Sequence, residues 1–209
     1  GIGRHSVLLA KRGYDVVGVD ISPRFLQNAQ DYAATQGVVE KTTFLAGDMR
    51  QVGRILDGLG AFDAILNAWT SMGYYGEESD RDIFTQLATV AADGAVLVLQ
   101  TVNRDWVLKN FESHGRESAE DIVMMEDREF DVERFHMVNR WTFFRHVDND
   151  LNFLGEFTVD HRVYSPHELK MLIESAGWRV ASLSASFELV TMSSAFPQSR
   201  DIVLVARKA

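Results

Sequence analysis

The sequence predicts an α/β fold: a mostly parallel sheet, an antiparallel last strand, and an antiparallel β insertion acting as a cap. Three observations carry this expectation. Short apolar runs (Asp15–Asp20, Thr42–Ala46, Asp63–Asn67 and Ala95–Leu99) alternate with stretches of helical spacing, the rhythm of strand–helix–strand units. Most are continuously apolar, as strands buried on both faces require. Between Asn103 and Tyr164 the pattern changes to longer stretches with mixed faces, and then the alternation resumes.

Each element has its own local cause. Arg4–Arg12 reads as a short helix packing Val7, Leu8 and Ala10, closed by Gly13, a residue suited to a helix C-terminus. The Gly1-Ile2-Gly3 turn ahead of it is of a kind that follows a strand, so residues upstream of Gly1 are expected in the intact protein. Ser22 can cap the next helix, with Pro23 at its first position, where proline costs least. Phe25, Leu26, Ala29, Tyr32 and Ala33 recur at helical spacing up to Gly37. The helix over Arg81–Ala91 buries Ile83, Phe84, Leu87 and Ala88, and Gly94 turns the chain into the fourth strand.

Within the changed region, Glu129–Phe135, Asn139–Val147 and Gly155–Tyr164 read as antiparallel strands. Ser165 and Glu168 form a capping box, and Leu169, Leu172, Ile173 and Ala176 face inward up to Gly177. Trp178–Ser184 and Asp201–Ala206 close the fold as an antiparallel pair. The expected organisation is therefore a main domain from 1–102 and 165–209, interrupted by an inserted recognition subdomain at 103–164.

Composition narrows the function. A chain of 209 residues, 46% hydrophobic and 24% charged, fits one soluble globular core. No apolar run approaches the roughly 20 residues that cross a bilayer. Cysteine is absent, which removes disulfides, thiolate metal sites and a cysteine nucleophile, and accords with a reducing cytoplasm. No histidine spacing suggests a metal site. A net charge of −9 without a basic tract opposes binding to nucleic acid or to an anionic membrane.

In an open parallel sheet, ligands bind beyond the carboxyl ends of the strands. Gly1 to Gly3, Asp20, Asp48 and Asn67 all fall at such ends. Glycines before a helix let a ligand approach the backbone, and the helix amides can hold an anion. Asp20 can accept both hydrogen bonds of a ribose diol. Asp48 can accept from an adenine amine while the Met49 amide meets the ring, and Ile21 and Met49 can sandwich the base. Asn67 offers donors and an acceptor to the zwitterionic end of an amino acid.

The runs Gly1-Ile2-Gly3-Arg4-His5-Ser6, Val17-Gly18-Val19-Asp20-Ile21-Ser22 and Gly47-Asp48-Met49 resemble the signature of class I S-adenosylmethionine-dependent methyltransferases. The turn Asn67-Ala68-Trp69-Thr70-Ser71-Met72-Gly73-Tyr74 and the run Thr101-Val102-Asn103-Arg104-Asp105-Trp106 resemble a small-molecule branch of that family. The resemblance implies a Rossmann-like sheet and S-adenosylmethionine as cofactor, left as S-adenosylhomocysteine. It implies Asp20 on the ribose and Asp48 on the adenine amine.

A nicotinamide-dependent oxidoreductase shares the glycine pattern. Here, however, Ser6 stands where that fold prefers glycine or alanine, and a dinucleotide has no use for Asp48. A cofactor-binding domain that regulates a partner is the non-catalytic alternative. The turn Asn67-Ala68-Trp69-Thr70 lacks the prolines of enzymes that gather a flipped base, so a small-molecule acceptor is expected.

Methyl transfer from a sulfonium is an in-line displacement, in which the protein orients the acceptor and removes its proton where needed. Candidates to hold the acceptor are Trp69, Tyr75, Asn103, Arg104, Arg162 and Tyr164, with Tyr74 and His161 as catalytic candidates. Adjacent Tyr74 and Tyr75 can equally be surface packing, and Arg104 can pair a substrate anion or cap a loop. His161 reads either as a general base near neutrality or as an exposed strand residue. Neither the acceptor atom nor the oligomeric state is legible.

Overall fold

The computed structural model describes residues 1–148, 150–187 and 199–209, and these form two compact units. The first comprises Gly1–Phe62 and Asp82–Ala91, and the second Asp63–Arg81 and Ala92–Ala209.

In the first unit, α1 (Arg4–Ala10) leads to β1 (Val16–Asp20), α2 (Pro23–Thr35) and β2 (Thr42–Ala46). β1 and β2 pair in parallel from Val16 opposite Thr42 to Asp20 opposite Ala46. Ser22 caps α2 by accepting from the Phe25 amide at 3.3 Å, with Pro23 following as expected. Val7 and Ala10 of α1 and Leu26, Ala29 and Ala33 of α2 are buried. A 3₁₀ turn (Met49–Gln51) and α3 (Val52–Ile55) follow β2. The Gln86 side chain ties them down, accepting from the Gly53 amide at 3.1 Å and donating to the Arg50 carbonyl at 2.9 Å.

The second unit begins in β3 (Phe62–Asn67) and includes the start of α4 (Glu77–Val90), which begins four residues before the expected Arg81. Then come β4 (Ala91–Val102), α5 (Arg104–Lys109) and four strands: β5 (His114–Ala119), β6 (Ile122–Asp131), β7 (His136–Val147) and β8 (Asp150–Arg162). They pair as an antiparallel meander in chain order. The expected strand Glu129–Phe135 is a correction. β6 ends at Asp131, whose side chain accepts the Glu133 and Arg134 amides at 2.9 and 3.0 Å, and Phe135 turns at φ 54°. That Asx-type turn outweighs the β propensity of the run.

The chain closes with α6 (Pro166–Ser175), β9 (Trp178–Ser184) and β10 (Asp201–Lys208). Ser165 and Glu168 make the full capping box. β10 runs antiparallel to both β4 and β9, so the expected antiparallel ending is present. The core of this sheet is Leu97, Leu99, Ile202 and Leu204, covered by Leu169, Leu172 and Ile173.

The single mostly parallel sheet is corrected in detail. Among the described strands there are three sheets: β1–β2, β3–β4–β10–β9 and β5–β6–β7–β8. Among the described strands, β1 pairs with β2 and β3 with β4. The architecture remains α/β with mixed sheets. Among the described residues no helix is long and apolar enough to cross a membrane.

Candidate active site

In the first unit the chain folds its glycine-led start against the end of β1. Asp20 Oδ1 accepts the Ser22 amide at 2.8 Å, and the Asp20 carbonyl accepts the Gly47 amide at 3.0 Å. Gly3 sits at φ 80°, where a Cβ would stand 2.8 Å from Ala29 Cβ and 3.1 Å from Ala29 Cα. Only glycine combines that left-handed backbone with the approach of α1 to α2. Ile21 is 63% exposed, an apolar face available to a flat ring, and Met49 is half-buried.

Asp48 has a partner that the sequence did not announce. Its Oδ1 accepts the Arg50 amide at 2.9 Å, Arg50 Nε reaches both oxygens at 3.1 and 3.0 Å, and Nη2 meets Oδ2 at 2.5 Å. The Arg50 side chain, then its amide, holds the Asp48 carboxyl below the usual carboxylate range. Asp48 is thus also the cap of the 3₁₀ turn.

In the second unit, Asn67 ends β3, 8% exposed. Its Nδ2 donates to the Ser71 carbonyl at 3.3 Å, and its Oδ1 is buried without a partner. Trp69 and Thr70 both adopt positive φ, 60° and 54°. Gln100 of β4 holds them there, its Oε1 accepting the Trp69 amide at 2.6 Å and its carbonyl the Thr70 amide at 3.2 Å. Two successive non-glycine residues in that region are a strained turn, and it displays the Trp69 ring, 64% exposed. Tyr75 is also exposed.

Tyr74 and His161 come together, with ring centroids 5.8 Å apart. His161 is buried (6% exposed) rather than an exposed strand histidine, and its Nδ1 has no hydrogen-bond partner. Burial drives its pKa down to about 4, with Asp160 opposing and His136 reinforcing. Burial, with Tyr75 beside it, pushes the Tyr74 hydroxyl up. Both rings are therefore neutral around pH 7.

The remaining candidates are engaged within the protein. Asn103 is fully buried: it caps α5 by accepting the Asp105 amide at 3.0 Å, and its Nδ2 donates to the Ser199 carbonyl at 3.0 Å. Arg104 donates to Glu168 Oε2 at 2.5 Å and Asp105 Oδ1 at 3.3 Å, and its guanidinium lies 4.3 Å from the centre of the Phe135 ring. Arg162 meets Glu77 at 2.8 Å and Glu168 at 3.6 Å. The Tyr164 hydroxyl donates to Asp80 Oδ2 at 2.7 Å, and burial raises its pKa. Asn103 and Tyr164 thus act as internal fasteners.

Asp80 is the residue that sequence reasoning missed. It is fully buried, accepts the Gly73 amide at 3.1 Å through Oδ1, and burial raises its pKa. A signal existed: Asp80, Ile83, Phe84 and Leu87 share one face of α4 by helical spacing. The Glu-Glu-Ser-Asp start of the helix reads instead as a solvated first turn.

A carboxylate at the end of β1, set beside a glycine-led helix, is an arrangement suited to a ribose-bearing ligand. Residues 1–94 match a family described as a methyltransferase domain. A putative methyltransferase of Bacillus subtilis, YqeM, is 23% identical over 190 residues, 90% of this chain and 74% of that protein. The CcbJ methyltransferase of Streptomyces caelestis superposes with a TM-score of 0.85 at 22% identity, over 100% of this chain and 80% of that one. CalS10 of Micromonospora echinaspora, an S-adenosylmethionine-bound amino pentose methyltransferase, superposes with a TM-score of 0.68 at 19% identity over 100% and 80%. Two further curated relatives match over stretches spanning 40% and 36% of their own lengths. The match over residues 1–94 is thus to a methyltransferase domain, and the fold over the whole chain is that of methyltransferases, an S-adenosylmethionine-bound one among them.

Proposed function

We propose that this methyltransferase acts on a small-molecule acceptor, which it seats against the Tyr74–His161 pair. The observation that carries this reading is His161 itself, a buried neutral imidazole with an unpartnered Nδ1 beside a neutral tyrosine. An orphaned buried polar atom costs free energy unless a ligand satisfies it.

The residues at the strand ends fit the cofactor. The fixed Asp20 carboxylate and the exposed Ile21 side chain suit an adenosyl group. Asp20 oxygens each retain a lone pair for a ribose hydroxyl. Asp48 can accept from the adenine amine while still bound to Arg50, with Met49 against the ring. In the second unit, the buried Asn67 Oδ1 lacks a partner and can accept from an ammonium group. When bound, S-adenosylmethionine supplies an activated methyl group for in-line displacement.

The chain's own tasks are orientation and proton handling. The Tyr74 hydroxyl holds the acceptor by a hydrogen bond. A neutral His161 accepts a hydrogen bond from the nucleophile and draws its proton as the new bond forms. The Trp69 ring and Tyr75 supply apolar walls, with Arg104 and Arg162 at the rim through whichever donors their carboxylates leave. The insertion at 103–164 serves as the recognition element, excluding water from the acceptor.

The test is transfer of label from methyl-labelled S-adenosylmethionine to a panel of small amines, alcohols and phenols. Labelled product with wild type, and loss on the order of a hundredfold with His161→Ala, supports the reading. Transfer unaffected by that substitution removes His161 from it.

A further inference from the structure

Between Asn67 and α4 the chain passes through Met72-Gly73-Tyr74-Tyr75-Gly76, and the backbone at Gly73 is gripped from two sides. Its amide donates to Asp80 Oδ1 at 3.1 Å, and its carbonyl accepts the Arg162 amide of β8 at 2.9 Å. Gly73 has φ 92°, and a Cβ there would stand 2.4 Å from the Arg162 carbonyl oxygen. The loop therefore lies against β8 as closely as a main chain can, one residue before Tyr74 and one residue along the strand from His161. Asp80 holds the same strand end a second time, since its Oδ2 accepts the Tyr164 hydroxyl at 2.7 Å. Asp80 and Tyr164 are both fully or almost fully buried. One carboxylate thus bridges the segment carrying Tyr74 and the segment carrying His161.

We propose that Asp80 is a positioning residue for methyl transfer: by clamping the Gly73 amide and the Tyr164 hydroxyl at once, it sets the Tyr74 ring against His161. A glycine with positive φ is otherwise the freest point of a loop, so the register of Tyr74 needs such a tether. A side chain with two acceptor oxygens meets the need, because each donor takes its own oxygen and neither is left buried and unpaired. This inference rests on the reading of Tyr74 and His161 as the acceptor site, but its geometric content stands or falls separately.

The test is read on the full chain, labelled with ¹³C-histidine and saturated with S-adenosylhomocysteine. The six histidines are distinguished by loss of one signal in His161→Gln. Tyr74→Leu defines the shift of the His161 ring signals when the neighbouring ring is removed. Asp80→Ala is expected to displace those signals in the same direction. Asp80→Asn restores them, because the amide oxygen can accept from Gly73 while its NH₂ donates to Tyr164. Unchanged S-adenosylhomocysteine affinity by calorimetry certifies the fold in each case. A folded Asp80→Ala with His161 signals at wild-type positions overturns the proposal, as does Asp80→Asn behaving like alanine. Should the alanine variant not fold, Asp80→Ser, too short to reach both donors, is judged by the same two outcomes. If the clamp holds by this measure and His161→Ala still transfers methyl groups, the acceptor reading fails and the positioning geometry does not.

Discussion

Arg104 and Glu168 meet at 2.5 Å, joining the first turn of α5 to the capping box of α6. Glu168 Oε2 also accepts the Ser165 amide at 2.9 Å and the Ser165 hydroxyl at 2.8 Å, and its Oε1 lies 3.6 Å from Arg162. A residue placed by helix-capping logic is thereby the junction of two arginines that sequence reasoning assigned to substrate.

Glu168→Ala is expected to destabilise the protein by about 1–3 kcal/mol, since it leaves Arg104 partly buried and without its main partner. Burial alone raises the Glu168 pKa, but the Ser165 hydrogen bonds and Arg104 outweigh it and leave the group below its ordinary 4.5. The native state therefore binds this proton less readily than the unfolded chain. The contribution is present above pH 4.5 and is lost as pH falls through the folded value. Denaturation midpoints of wild type and variant that converge at acid pH would bear this out; a gap independent of pH would refute it.

His161 has a consequence of the same sign for an opposite reason. Its folded pKa of about 4 lies below its ordinary 6.5 because burial disfavours the cation. Between those values the unfolded chain binds more protons, so stability falls as pH drops from 6.5 toward 4. At about 1.4 kcal/mol per pH unit, the loss reaches about 3 kcal/mol. Thermal scans of wild type against His161→Gln over this range measure it; parallel curves would mean that burial does not control this histidine.

Gly3→Ala is expected to cost about 1–3 kcal/mol, the usual penalty of overpacking, because a methyl there meets Ala29 while the backbone sits at positive φ. Urea denaturation reads the loss. An Ala29→Gly partner should recover the steric part and leave the backbone part.

Asp20→Ala should weaken S-adenosylmethionine by about 1–3 kcal/mol through the missing acceptor, as measured by calorimetry, with unaltered affinity removing the ribose assignment. Asp48→Ala carries a second effect that the sequence did not foretell. The Arg50 amide loses its cap, a cost of about 1 kcal/mol, so its denaturation midpoint should drop even without ligand.

The strand ends were the more legible part of this protein. Asp20 closes β1, with Ile21 next to it, and Asp48 follows β2 by one residue, and strand ends are where an α/β fold presents its ligands. The surroundings of the expected acceptor residues were less so. His161 and Arg162 end a strand of period two and Tyr164 follows it, and alternation says which residues share a face, not which face is covered. Hence His161 turned out buried, Asn103 became a helix cap, and Asp80 at an acidic helix start became an internal fastener.

By itself the sequence determined the α/β class, the capped helices α2 and α6 and the antiparallel ending. These follow from local signals: caps, periodicity and residues adjacent to strand ends. Only the tertiary structure decided how the strands divide into three sheets, that Arg50 binds Asp48, and that Glu168 and Asp80 gather the polar candidates. Such pairings depend on hydrogen bonds between residues as far apart as Asp80 and Tyr164, and on which side chains lose water. Neither is encoded in spacing along the chain.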